Sequence, residues 1–173
     1  MNDSPIPLDA VNRMDEATFV ATFGDVAEHA PWVAAEAAGA RPFATREAMI
    51  DAFAAVVADA APDRQRQLLL AHPDLAGKAA IAGELTQDSR REQKGAGLDR
   101  LTADEHARFT ELNTAYRERH GIPFILAVRG AGKDEIMTSC QERLRNRPQA
   151  EFARAIGEVE CIIQYRIEER VRQ

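Results

Sequence analysis

Apolar residues that recur at steps of three and four leave this chain little choice but helix. The clearest stripe lies near its end. Phe152, Ile156, Val159, Ile163 and Arg166 follow one another at steps of four, three, four and three. That spacing puts side chains on one face of an α-helix, whereas a half-buried strand alternates. Strand signals are nearly absent elsewhere: alanine is abundant and β-branched runs are short. Arg166 follows the stripe inward, while Arg170 continues it to an end where a long side chain can reach water. A guanidinium on a buried face cannot deprotonate, so it needs a carboxylate or an anionic ligand. Both partners satisfy the sequence, and an internal salt bridge is the simpler.

Prolines, glycines and caps divide the rest into helices. A short helix over 15–23 stops at Gly24. Pro31 to Gly39 carries proline in the first turn and glycine after the last. Thr45 caps a longer helix with Met49, Phe53, Val56 and Val57 on one face. Pro62 opens a helix that runs to Leu68, Leu69 and Leu70, and Pro73 ends it. Thr102 and Glu105 form a capping-box pattern that opens a helix to His120, with Phe109, Leu112 and Tyr116 as its stripe and Gly121 as its stop. Helices over about 133–145 and 149–171 follow. The run Gly121 to Gly132 is the one short continuous apolar stretch, expected as a buried connector or half-strand. The expected fold is a single all-α, multi-helix domain over residues 1–173, with residues 1–6 flexible.

Composition removes several function classes. The net charge is -6 with both signs interspersed, which disfavours a nucleic-acid or anionic-membrane binder. No apolar stretch approaches the ~20 residues of a membrane span. The first residues have neither the basic region nor the apolar core of a signal peptide. Two cysteines, Cys140 and Cys161, lack metal-ligand spacing, and a reducing cytoplasm is the expected setting. No histidine pair has a metal-binding interval, so no metal is expected. Gly77-Lys78 and Gly132-Lys133 are poor matches to a phosphate loop, which needs an earlier glycine and a following Ser or Thr.

His72 stands out among the titratable residues. It follows the leucines and precedes Pro73, which pushes it out of the α region. The helix end behind it favours an imidazolium. A capping histidine and an acid–base group are both consistent with that position. His106 fits a core boundary, His120 a dipole partner in a last turn, and His29 a loop. The second cluster is Ser89, Glu92 and Gln93, which share one face of a helix at i, i+3 and i+4. Ser89 and Glu92 are themselves a capping-box pattern. Their helix has almost no apolar face, so its polar triplet can equally face a cavity.

In this order the pieces resemble one family. "AHPDLAGKAA", "LTQDSRREQKGAGLDRL", "FTELNTAYRERHGIPFILAVRG" and "RLRNRPQAEFARAIGEVECIIQYRI" are similar to blocks of the OHCU decarboxylases of purine breakdown, over nearly the whole chain from Pro7. The resemblance implies an all-α, usually homodimeric fold without cofactor. The implied activity converts the small molecule 2-oxo-4-hydroxy-4-carboxy-5-ureidoimidazoline to (S)-allantoin. The implied essential histidine is His72, with Glu92 beside it in catalysis. Ser89, Gln93 and Arg166 are the implied substrate contacts, and Pro73 and Ile125 the implied pocket lining. No β-rich segment of the kind fused to some relatives occurs in this sequence. Two rivals stay open: a helical interaction domain, and an enzyme of the same fold acting on another ureido or hydroxy acid.

Overall fold

A computed structural model describes residues 4–173. Several of its helices begin where caps and prolines predict. After a two-residue strand β1 (Ile6–Pro7) and a single turn α1 (Leu8–Asn12), the Asp15 side chain accepts from Thr18 N–H and starts α2 (Glu16–Phe23). Pro31 is the first residue of α3 (Pro31–Ala37), and the Thr45 hydroxyl accepts from Ala48 N–H to start α4 (Arg46–Asp59). Next come α5 (Pro62–Leu70), α6 (Lys78–Ala82) and α7 (Gln87–Gly95). Both bonds of the Thr102–Glu105 capping box are made at the start of α8 (Ala103–His120). Gly121 ends that helix at φ 66°, a left-handed conformation that suits glycine. The helices α9 (Lys133–Arg143) and α10 (Pro148–Arg170) and the strand β2 (Val171–Arg172) complete the chain.

These elements form two compact units. One comprises the residues up to Leu68 together with Glu160–Gln173, the other Leu69–Val159. The first is centred on phenylalanine. The ring of Phe19 lies 5.0 Å from Phe23, 6.2 Å from Phe43 and 6.1 Å from Phe53. Rings of this kind bury about 150–250 Å² each, so they dominate a small core. Met49, Val57, Ile163 and Ile167 are fully buried in the same unit. The second unit buries Tyr116, Ile122, Phe124, Ile136 and Val159, with Tyr116 and Phe124 edge to face at 5.3 Å.

Several details depart from the sequence reading. Leu68 and Leu69 are buried, but Leu70 is 45% exposed, so two leucines anchor the end of α5. Of the two readings of the stretch after Gly121, the structure has the first: Ile122, Pro123, Phe124 and Ile125 are a buried connector without strand pairing. The turn α6 buries none of its residues, which explains why no periodicity announced it. Ile6 pairs in parallel with Val171, across almost the full chain. Of the stretch expected to be flexible, residues 1–3 lie outside the described residues and Ile6 belongs to that pairing.

Candidate active site

His72 is 4% exposed and lies two residues past the end of α5, its N–H donating to Leu69 O at 3.1 Å. Pro73 is half-buried. The loop after it is tied down at every residue to Gly77. Asp74 receives the Arg117 Nε–H on both oxygens, at 3.0 and 3.2 Å. Leu75 O accepts from Asn113 Nδ2 and Ala76 N–H donates to Gln93 Oε1, each at 2.9 Å. Ala76 has φ 53°, a left-handed conformation that costs an alanine roughly 1–2 kcal/mol. Gly77 must be glycine because an added Cβ would sit 2.7 Å from the Asp74 Cβ.

α7 buries polar groups. Its hydroxyl cap is Thr86, which accepts from Ser89 N–H at 3.3 Å. Ser89 is therefore the third residue inside the helix, and the capping-box alternative for Ser89 and Glu92 does not hold. The buried residues of α7 are Asp88, Ser89 and Gln93, and Glu92 is half-buried. A helix with no buried apolar residue gains little from hydrophobic packing, so its inward face is there for its polar groups. The Gln93 oxygen is engaged by Ala76 N–H, so the donors of this side chain are those of its amide N–H₂.

Ile125 is buried, and its carbonyl accepts from Arg143 Nη1 at 2.8 Å. Arg143 also donates to Glu151 Oε2 at 2.9 Å, and Asn146 Nδ2 reaches Glu151 Oε1 at 2.7 Å. The Tyr116 hydroxyl completes the set with a short bond to the Glu151 carboxylate. Burial raises the Glu151 pKa, but the bonds from Tyr116 and Asn146 and the Arg143 charge outweigh it and hold the carboxyl below its usual value. Burial and the Glu151 bond raise the Tyr116 phenol, which stays protonated. None of these four residues was singled out as polar machinery from the sequence. Tyr116 was assigned to the apolar stripe, and only the tertiary structure brings a carboxylate to its hydroxyl.

Arg166 lies in the other unit. It is 1% exposed, as the stripe predicts, and its Nη2 donates to Glu28 Oε1 at 2.7 Å with Glu28 equally buried. Nη1 donates to Val26 O at 3.3 Å. The counter-charge demanded by the sequence is thus supplied by Glu28. Nothing in the sequence pointed to Glu28, which holds φ 56° in an irregular turn. Arg170 reaches Thr22 O and Asp25 at 2.8 and 2.6 Å.

The remaining candidates have plain surroundings. His29 is exposed and His106 half-buried. His120 is buried against Tyr116, ring centroids 4.5 Å apart, and burial lowers its pKa. His120 stands in the last turn of α8, as its reading as a dipole partner requires, and the lowered pKa weakens that role. Burial pushes the Cys140 thiol up to about 12. Among the described residues, no cluster of three or more His, Cys, Asp or Glu has a metal-holding arrangement. A hollow of about 440 Å³ in the second unit is bordered by Arg90, Gln93 and Lys94 of α7 but by neither Ser89 nor Glu92.

A helical chain that buries a histidine at a helix end, and a polar face on a neighbouring helix, has the parts of an acid–base enzyme. The chain belongs to the OHCU decarboxylase family, whose sequence model matches residues 12–168. It is 39% identical to the 2-oxo-4-hydroxy-4-carboxy-5-ureidoimidazoline decarboxylase of Haloferax volcanii, over 95% of this chain and 96% of that one. It is 40% identical to the Mus musculus protein of the same name, over 91% and 88% of the two chains. Among solved structures it resembles an (S)-allantoin synthase, with a TM-score of 0.78 and 28% identity over 97% of this chain. It spans about half, 54%, of that chain.

Proposed function

We propose that this chain is a carboxy-lyase that converts 2-oxo-4-hydroxy-4-carboxy-5-ureidoimidazoline to (S)-allantoin in urate breakdown, without a cofactor. The observation that carries the reading is the wholly polar buried face of α7, joined by the Gln93–Ala76 bond to the loop that follows His72. Family membership supplies the substrate class.

The chemistry suits these groups. When the bond between the ring carbon and its carboxylate breaks, CO₂ leaves and the electron pair moves into the adjacent C=N. The substrate is its own electron sink. The hydroxyl on the same carbon then loses its proton to become a carbonyl, the neighbouring carbon gains one on a single face, and the ring nitrogen that accepted the pair takes a second proton, which solvent supplies. His72 is the group proposed to move these protons, with Glu92 orienting its ring or the substrate. A positioned acid–base group contributes typically about 10²–10⁴-fold. Ser89 and the Gln93 amide would bind ureido or ring amides, Pro73 and Ile125 would line the pocket, and Arg166 would hold a carbonyl or carboxylate of the substrate. For Arg166 the proposal adds a ligand to a guanidinium that Glu28 already neutralises.

The interaction-domain rival needs an exposed apolar patch. Among the described residues the large exposed hydrophobics are Leu70 and Ile81. No helix of the described residues is long and apolar enough to cross a membrane. A cytoplasmic setting is part of the proposal. A homodimer and a single functional domain over 1–173 are part of the same proposal, and sedimentation checks the first.

Freshly made substrate tests the activity. Circular dichroism should develop with the sign of (S)-allantoin, because unassisted protonation favours neither face. His72→Ala should fold and give no such signal. A wild type that yields only optically inactive product overturns the reading, and a folded His72→Ala with near-native turnover removes His72 from it.

A further inference from the structure

Asn113 sits in the middle of the 18-residue helix α8 and is 7% exposed. A buried amide is costly there unless it is bonded, by roughly 1–3 kcal/mol. Its Nδ2 donates to Leu75 O, while Gln93 Oε1 accepts from Ala76 N–H. Those two backbone groups belong to a single peptide unit. Two side-chain amides from two helices therefore grip both polar ends of the Leu75–Ala76 peptide, as neighbouring strands would in a sheet. The gripped peptide leads into Ala76, held at φ 53°. Strained backbone of this kind persists only where its surroundings over-determine it.

The grip is close to His72 in torsional terms. Pro73 has a fixed φ, and the Arg117 guanidinium holds the Asp74 carboxylate. Arg117 and Asn113 are one turn apart on α8, so a single rigid helix fixes the loop at two points. On its other side His72 is pinned by its bond to Leu69 O.

We propose that Asn113 is a positioning residue: with Gln93 it clamps the Leu75–Ala76 peptide and so holds His72 in its reactive placement. Asn113 acts through the loop and touches no substrate. The inference rests on the assignment of His72 to the reaction. A misplacement of about 1 Å can cost on the order of 100-fold in rate.

The test uses the full-length chain. Asn113→Leu keeps size and removes the donor. Its kcat per folded molecule should fall roughly 10–100-fold with KM changed little, and the pH profile of kcat/KM should move. A purely structural role would lower the folded fraction and leave KM and the pH profile of the folded molecules as they were. Asn113→Asp supplies a second variant. Its protonated carboxyl can donate to Leu75 O and its ionised form cannot, so its activity relative to wild type should rise as pH falls. Hydrogen exchange in the wild type should show the Ala76 amide protected although it lies outside any helix. Native kcat in folded Asn113→Leu, a flat activity ratio in Asn113→Asp, or an Ala76 amide exchanging like open loop would each overturn the clamp. His72→Ala, measured alongside, separates the two readings. If it is inactive while Asn113→Leu is native-like, only the clamp is lost; if it stays active, both are.

Discussion

Among the described residues, the two residues other than glycine with left-handed backbone are Glu28 and Ala76, one in each unit. Each adjoins a candidate site residue, and they are held by opposite means. Glu28 is fixed through its own side chain, a carboxylate buried against the Arg166 guanidinium. Ala76 has no side chain to speak of and is fixed through its backbone, by neutral amides from Asn113 and Gln93 on either side of its peptide. The Glu28 turn therefore depends on charge balance, the Ala76 turn on hydrogen-bond geometry. Charge acts over a distance and tolerates small shifts; an amide clamp does not. That places the stricter restraint beside His72, the group proposed to move protons.

The largest expected effect comes from upsetting the charge at the first turn. Glu28→Gln leaves a fully buried guanidinium without its carboxylate, which should cost about 3–5 kcal/mol in urea unfolding. A loss below about 1 kcal/mol would mean that another anion balances Arg166 and would break the contrast. Arg166→Met alone takes the guanidinium away from buried Glu28, so its melting point cannot by itself distinguish support from substrate binding. Glu28→Gln combined with Arg166→Met removes both charges and should regain most of the lost stability, since buried pairs roughly cancel their own desolvation. Turnover in that folded double variant then decides the matter. Native kcat/KM leaves Arg166 as structure, and a large loss supports its proposed contact with substrate.

The second unit has a buried carboxylate of its own, which sharpens the contrast because Glu151 supports the Ile125 connector through Arg143 and makes no bond to the His72 loop. Its folded pKa lies below the unfolded value of ~4.3. The stability it contributes is therefore complete above that value and lost as pH falls through the folded pKa. Unfolding measured from neutral pH into acid should show that limb in wild type and a flatter one in Glu151→Gln. Equal limbs would show that the Tyr116, Asn146 and Arg143 contacts do not depend on its charge.

Glycine separates the two turns with less force. Ala76→Gly relieves the left-handed strain, gives up some chain stiffness, and should change stability by no more than about 1 kcal/mol either way. Glu28→Gly relieves the same strain but deletes the ion pair and should behave like Glu28→Gln. Similar values for the two glycine variants would erase the distinction. The smallest effect belongs to His120. Burial lowers its pKa, while the Glu151 charge and a hydrogen bond to the Arg143 backbone oppose that shift and the Arg119 and Arg143 charges reinforce it. The unfolded chain takes up this proton first as pH falls, so stability is full above about 6.5 and declines below it, and His120→Phe should remove that part of the slope.

Helix positions were legible because their signals are local. Thr45, Thr102, Pro31 and Gly121 act on the residues next to them, and each helix begins or stops there in the structure. The apolar stripes of α8 and α10 were equally plain, since a period of 3.6 is a property of the chain itself. Arg166 followed its stripe inward for the same reason. One local reading failed when burial intervened: Leu70 faces outward although it ends a leucine run. His120 stands in the last turn of α8 as read, but burial against Tyr116 lowers its pKa.

What the sequence by itself determined is the helical class, the limits of the longer helices and the set of unusual polar residues: His72 before its proline, the triplet on α7, and the arginine on a buried stripe. Each follows from covalent geometry and spacing within a few residues. Which partner each group meets was decided only by tertiary structure. Ser89 gave up the cap to Thr86, Gln93 turned its oxygen to Ala76, Asn113 reached Leu75 across 38 residues, and Arg166 found Glu28 across 138. The reason is physical. A buried polar group must be satisfied, but its partner can come from anywhere in the chain that packing brings within about 3 Å, and no local period encodes that distance.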